Sequence, residues 1–137
     1  MTTWARPAVS MTALSLMVAC TAVPPSSAEM ALQANFLKYA GPPIDSFTYL
    51  GHYDGFRTVG DKDVVFFTTV TDAYLIHVKD PCYRLHVADR IGLTFSSHTV
   101  NRSFDHVLVD QERCGIATIR HVDYAAMKRD RMAGAAS

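Results

Sequence analysis

Apolar positions fall into short blocks separated by turn residues, and a helical rhythm shows only near the two ends of the chain. Good helix formers surround Leu32, Phe36 and Tyr39, and Gly41-Pro42-Pro43 supplies a stop, which predicts a short helix over residues 29–41. Residues 42–124 are punctuated as a β-protein. Residues 47–52 read as a strand, Tyr53-Asp54-Gly55 as a turn into residues 56–59, and residues 60–63 as a second turn. Residues 64–70 are a dense run of β-branched and aromatic side chains, the pattern of a strand buried on both faces. Tyr74, Ile76 and Val78 then alternate with Leu75 and His77, until Asp80-Pro81 ends the strand because proline cannot donate to a ladder. Residues 85–95 admit either a helical turn around residues 88–90 or another strand pair, and Ser96-Ser97-His98 reads as a loop. Residues 99–110 and 113–122 predict a hairpin through Gln111-Glu112. Asp123 can cap a last helix over residues 124–132, with Gly134 beyond it, so that residues 125–137 form a short helix and a frayed tail. The expected fold is mainly β, with α+β as the other option: a small antiparallel sheet, barrel or sandwich, with short terminal helices.

The first 19 residues carry a different pattern. Arg6 precedes an apolar stretch over residues 8–20 that holds no charged side chain, the order of a signal peptide. The stretch is short for a membrane span, which needs roughly 20 apolar residues. Two processing sites compete. Leu16-Met17-Val18-Ala19-Cys20 resembles a bacterial lipobox, with Met17 where leucine is commoner; the cysteine would be acylated and become the new N-terminus. Ser26-Ser27-Ala28, just after Pro24-Pro25, suits ordinary signal peptidase. The lipobox is the preferred reading. It makes residues 1–19 the signal peptide and residues 20–28 a lipidated Cys20 followed by a proline-bearing tether, extended at about 3 Å per residue. Thr21 after the cysteine, rather than aspartate, favours the outer membrane, with the domain facing the periplasm.

Charge narrows the partners. The chain carries 13 Lys plus Arg and 13 Asp plus Glu, and removing the leader takes away only Arg6, leaving a net charge near −1. No cationic excess remains to hold nucleic acid. Lys128-Arg129-Asp130-Arg131 is the densest cationic run, and with Asp130 interrupting it reads as a solvated helix end. Three cysteines are an awkward number in an oxidising compartment. Either cleavage removes or occupies Cys20 and leaves Cys82 and Cys114 as a pair. Their bridge would close a ring of thirty-odd residues, worth about 3–4 kcal/mol to a domain whose core alone is marginal. It reads as a staple, since redox pairs usually sit as Cys-x-x-Cys.

The residues Tyr39 to Phe47 (YAGPPIDSF), Ala73-Tyr74-Leu75, Pro81-Cys82, Ile91-Gly92-Leu93-Thr94, Phe104-Asp105-x-Val107 and Cys114-x-Ile116-x-x-Ile119-Arg120-x-Val122-Asp123 run through nearly all of the mature chain. Their arrangement resembles a family of small proteobacterial envelope lipoproteins whose domain has no assigned function. Tryptophans associated with that family stand here as Phe56 and as Phe66 or Phe67. The resemblance implies an envelope location and a Cys82–Cys114 pair, and it implies no catalytic residues.

Motifs for chemistry are sparse. The histidines His52, His77, His86, His98, His106 and His121 show no His-Glu-x-x-His and no i, i+4 pair. Antiparallel strands could still bring His77 near His106 or His121, the candidates for a transition-metal site. Asp105-His106 near Ser103 has triad residue types without a Gly-x-Ser-x-Gly elbow, and strand neighbours point to opposite faces. Asp105 reads instead as an aspartate bonding backbone amides. Aromatic residues 49, 53, 56, 66, 67 and 74 read mainly as core, with Tyr53 in its turn as the member expected to be exposed and available to a ligand. The expected function is a non-enzymatic structural or interaction module without a cofactor, joined to the membrane by lipid and partnered by an envelope protein. The alternative is a periplasmic small-ligand or transition-metal-binding protein.

Overall fold

A computed structural model describes residues 24–135. The leader, the lipobox with Cys20 and the last two tail residues lie outside them. In chain order the elements are α1 (Ser27–Tyr39), β1 (Ala40–Ile44), β2 (Ser46–Thr48), β3 (Gly55–Val59), β4 (Asp63–Phe67) and β5 (Asp72–Val78). A 3-10 turn (Leu85–Val87), β6 (Ile91–Leu93), β7 (Thr99–Asn101), β8 (His106–Val109), β9 (Glu112–Asp123) and α2 (Tyr124–Ala135) complete the chain.

Helix α1 begins earlier than its apolar pattern predicts, because Ser26 caps it. The Ser26 hydroxyl accepts from the Glu29 amide at 3.2 Å and the Glu29 carboxylate accepts from the Ser26 amide at 2.8 Å. This reciprocal pair satisfies amides that a helix start leaves without partners. The expected tether is therefore shorter than residues 20–28. At the other end Pro42 and Pro43 stop the helix as expected, yet their segment goes on as β1, paired with β9. Such a position at a sheet margin tolerates residues that lack an N–H, and the register slips between Ala40 and Pro43.

The main sheet runs β3-β4-β5-β9-β8-β6, all antiparallel, and curls into a half-barrel. The mainly β fold is thus as the residue pattern indicates, and between barrel and sandwich it is an open barrel with a small second ladder, β2–β7. Strand β9 has 12 residues, long enough to hold β5 along one edge and β8 followed by β1 along the other. Alternation separates two cores. Val64, Phe66, Ile76 and Val78 face the inside of the curl, while Val65, Ala73 and Leu75 face α1 and α2 with Phe36 and Met127. A bulge in β9, where His77 pairs with Thr118 but Val78 with Ile116, puts Ile116 and Ile119 into the same inner core.

Several predicted strands are shorter than their apolar runs. Strand β4 is buried on both faces as expected but stops at Phe67, where the Thr69 hydroxyl accepts from the amides of Thr71 and Asp72 and forms a turn. Of the expected 47–52 strand only Phe47 and Thr48 pair, with β7, and the ladder starts one residue earlier at Ser46. The expected arm over residues 99–110 is two strands in different sheets. The Asp105 carboxylate accepts from the Asn101 amide at 2.7 Å and from the Thr94 hydroxyl at 2.8 Å, and this turn carries the chain from one ladder to the other. In residues 85–95 the helical turn lies at Leu85–Val87, ahead of the expected 88–90, and one strand, β6, pairs with β8. The hairpin turns at Asp110-Gln111, one residue before the predicted pair, with Asp110 at φ 53°. Asp123 caps α2 through the Ala126 amide at 2.9 Å, and the helix runs through Gly134 instead of ending before it.

Candidate functional site

The cleft with the clearest chemical character lies where α2 crosses the sheet beside the Gly55 end of β3, with a volume of about 290 Å³. Its floor is aromatic. Phe67 meets Tyr124 with ring centroids 4.9 Å apart and meets Phe36 edge-on at 6.4 Å. Gly55 leaves the floor open: a Cβ at this position would have no neighbour within 4 Å. Its rim carries Arg57, Lys128 and Arg131 against one carboxylate, Asp54. Lys128 is fixed in place, donating to the Val70 carbonyl at 2.8 Å with its Nζ 4.5 Å from the centre of the Tyr124 ring. Asp130, which interrupts the cationic run in sequence, bonds the Tyr39 hydroxyl on α1. The run is therefore divided: its acid turns toward α1 while Lys128 and Arg131 line the cleft.

None of the residue patterns expected to carry chemistry falls at this site. Its signal is nevertheless present, since Tyr124, Lys128 and Arg131 stand at i, i+4 and i+7, one face of a helix. Arg57 could not be joined to them without knowing that the fold brings α2 beside the Gly55 end of β3.

The histidine candidates do not converge. His77 lies in a row across three strands, with ladder partner Asp63 on one side and Thr118 on the other. Its Nδ1 is 2.8 Å from Asp63 Oδ1, and the other Asp63 oxygen accepts from Gln33 Nε2 at 2.8 Å. His121 is the ladder partner of Tyr74, whose ring it meets edge-on, with Asp72 3.4 Å from its Nε2. His106 lies on β8 opposite Gly115, its amide bonded to Thr94 and its buried Nδ1 without a partner. Among the described residues, the ligand-type side chains that gather within reach of one ion are Cys82, Cys114 and Glu112. Those sulfurs form a disulfide, with Cα atoms 5.5 Å apart, and Glu112 accepts from the amides of Tyr83 and Arg84. Together these contacts tie the loop after β5 to the start of β9.

Tyr53, expected to be exposed, is half-buried. Its ring stands edge-on to Phe66 and Phe56, and its hydroxyl donates to the Ile91 carbonyl, so it serves the inner core. Burial pushes the Tyr49 and Tyr74 phenols above their ordinary values, with Tyr53 adding to the first and the Asp72 carboxylate to the second. Asp105 is a structural carboxylate, spent on a turn. No helix among the described residues is long and apolar enough to cross a membrane.

No curated protein and no solved structure matches the chain. A family model does, over residues 3–136, which takes in the sheet, both helices, both bridge cysteines and the cationic cleft. The chain belongs to the family of unknown function DUF6491.

Proposed function

We propose that this chain is an envelope lipoprotein, cleaved before Cys20, acylated there and held to the outer membrane on its periplasmic side, with the folded domain acting as a non-enzymatic interaction module. The start of α1 carries the reading. Ser26 and Glu29 cap that helix reciprocally, so cleavage after Ala28 would remove the cap and the first turn. It would also place a new α-ammonium at the positive end of the helix dipole, where positive charge is unfavourable. Cleavage before Cys20 leaves the cap whole. It puts about six residues between the lipid and the first helix. The family match begins at residue 3, so it runs through the stretch that holds Cys20.

The intact mass of the mature protein from a bacterial membrane fraction, with and without reduction, tests this. A chain beginning at Cys20 with added acyl mass, gaining two hydrogens on reduction, is the expected result. A water-soluble chain beginning at Glu29 without lipid would overturn the proposal.

A further inference from the structure

We infer that the cleft between α2 and the Gly55 end of β3 is a ligand site for a small soluble anion: an aromatic or short alkyl body carrying one carboxylate or phosphate. Three features of the cleft point to such a ligand. Its volume of about 290 Å³ is at the lower end for ligand pockets, which suits a single ring system. Its floor of Phe36, Phe67 and Tyr124 is aromatic and packed ring against ring, and at Gly55 no side chain fills it. Its rim is cationic in excess, and Arg57 and Arg131 form no ion pair with any carboxylate among the described residues. A guanidinium is weakly hydrated and offers a planar fork of donors, matched to a carboxylate or phosphate. An apolar floor beneath such a rim selects for a ligand that has both parts.

The cleft also lies away from the proposed anchor. The opposite end of β3 turns at Gly60, beside Gln33 of α1 and in a hollow shared with Pro24, Pro25 and Glu29. The cleft therefore opens toward the periplasm and a soluble ligand, a placement that rests on the lipoprotein reading. The binding chemistry does not depend on it.

The test is a titration of the mature protein in a nonionic detergent, followed through backbone amide chemical shifts. The probes are naphthyl phosphate, naphthylacetate and the neutral naphthylmethanol. Saturable shifts at Gly55, Val70 and Lys128 are expected with an anionic probe, and binding of the neutral probe about tenfold weaker, the worth of two partly exposed charge contacts. The stronger of the two anions identifies the head group. A chain carrying Arg57→Glu with Arg131→Glu should lose the preference for anions, and Gly55→Leu should fill the floor and block all three probes. Both changes sit at accessible positions, and unchanged shifts in β5 and β9 report that the fold is kept. Equal binding of neutral and anionic probes, or no saturable shift around the cleft, would overturn the inference. Either result leaves the mass measurement of the anchor untouched.

Discussion

Replacing Cys82 and Cys114 together by alanine removes the one covalent tie between the loop after β5 and the central strand β9. The two residues are 32 apart in sequence, so the bridge closes a ring of about 33 residues, and the chain-entropy relation gives about 3.7 kcal/mol at about 25 °C. Both side chains are buried, Cys114 fully, so the double alanine variant also leaves a small void costing about 1 kcal/mol more. Reduction of the native protein isolates the first quantity, since both sulfurs stay in place. The hydrogen bonds around the bridge survive either change: Lys79 still donates to the Gly115 carbonyl, and Glu112 still accepts from Tyr83 and Arg84. The loss should thus come mainly from the unfolded chain, not from rearrangement of the folded one. Urea unfolding of the oxidised, reduced and double-alanine proteins provides the assay. The reduced protein should lose about 3–4 kcal/mol, a large share of the roughly 5–15 kcal/mol available to a domain of this size. The slope against urea should rise, because an unbridged chain exposes more surface when it unfolds. A loss under about 1 kcal/mol with an unchanged slope would refute the reasoning, and would mean that the unfolded chain is already held compact by residual contacts.

The Asp105 carboxylate is buried and bonded to the Asn101 amide and the Thr94 hydroxyl, so Asp105→Ala should cost about 2–3 kcal/mol in urea unfolding and Asp105→Asn less; an alanine variant as stable as the native chain would show that the turn does not need it. The Ser26 amide, and then the Ser26 hydroxyl, hold the Glu29 carboxyl below its ordinary 4.5. A carboxylate with a lowered folded value stabilises the helix start above the ordinary value, and that contribution is lost as pH falls through the lowered one. In a carboxyl NMR titration Glu29 should therefore have a midpoint below 4.5, and Ser26→Ala, which keeps the amide and loses the hydroxyl, should return it only part of the way; an unshifted midpoint in the native chain would remove the cap from the account of α1.

Local chemistry determined much of this protein. The period-two pattern from Tyr74 to Val78, the β-branched run of β4, the prolines after Tyr39 and the capping Asp123 each act within a few residues, so they could be read directly. The pairing of Cys82 with Cys114 followed from a count. What could not be read depends on who lies beside whom. The expected arm over residues 99–110 looks like one strand, but the Asp105 carboxylate, which accepts from the Asn101 amide and the Thr94 hydroxyl, and the turn around Asn101 divide it between two sheets. Tyr53 looked like an exposed turn residue until Phe56 and Phe66 packed against it and the Ile91 carbonyl took its hydroxyl. The cationic cleft shows the same division. The spacing of Tyr124, Lys128 and Arg131 is local and fixes one face of a helix. Their union with Arg57, Phe67 and the vacant side of Gly55, and the turning of Asp130 toward Tyr39, exist only once β9 leads α2 back across the sheet. Helix caps, turns and period-two patterns are set by contacts a few residues apart and are written in the sequence; strand boundaries, and a site that joins Arg57 to Arg131, are set by chain topology, which no local pattern contains.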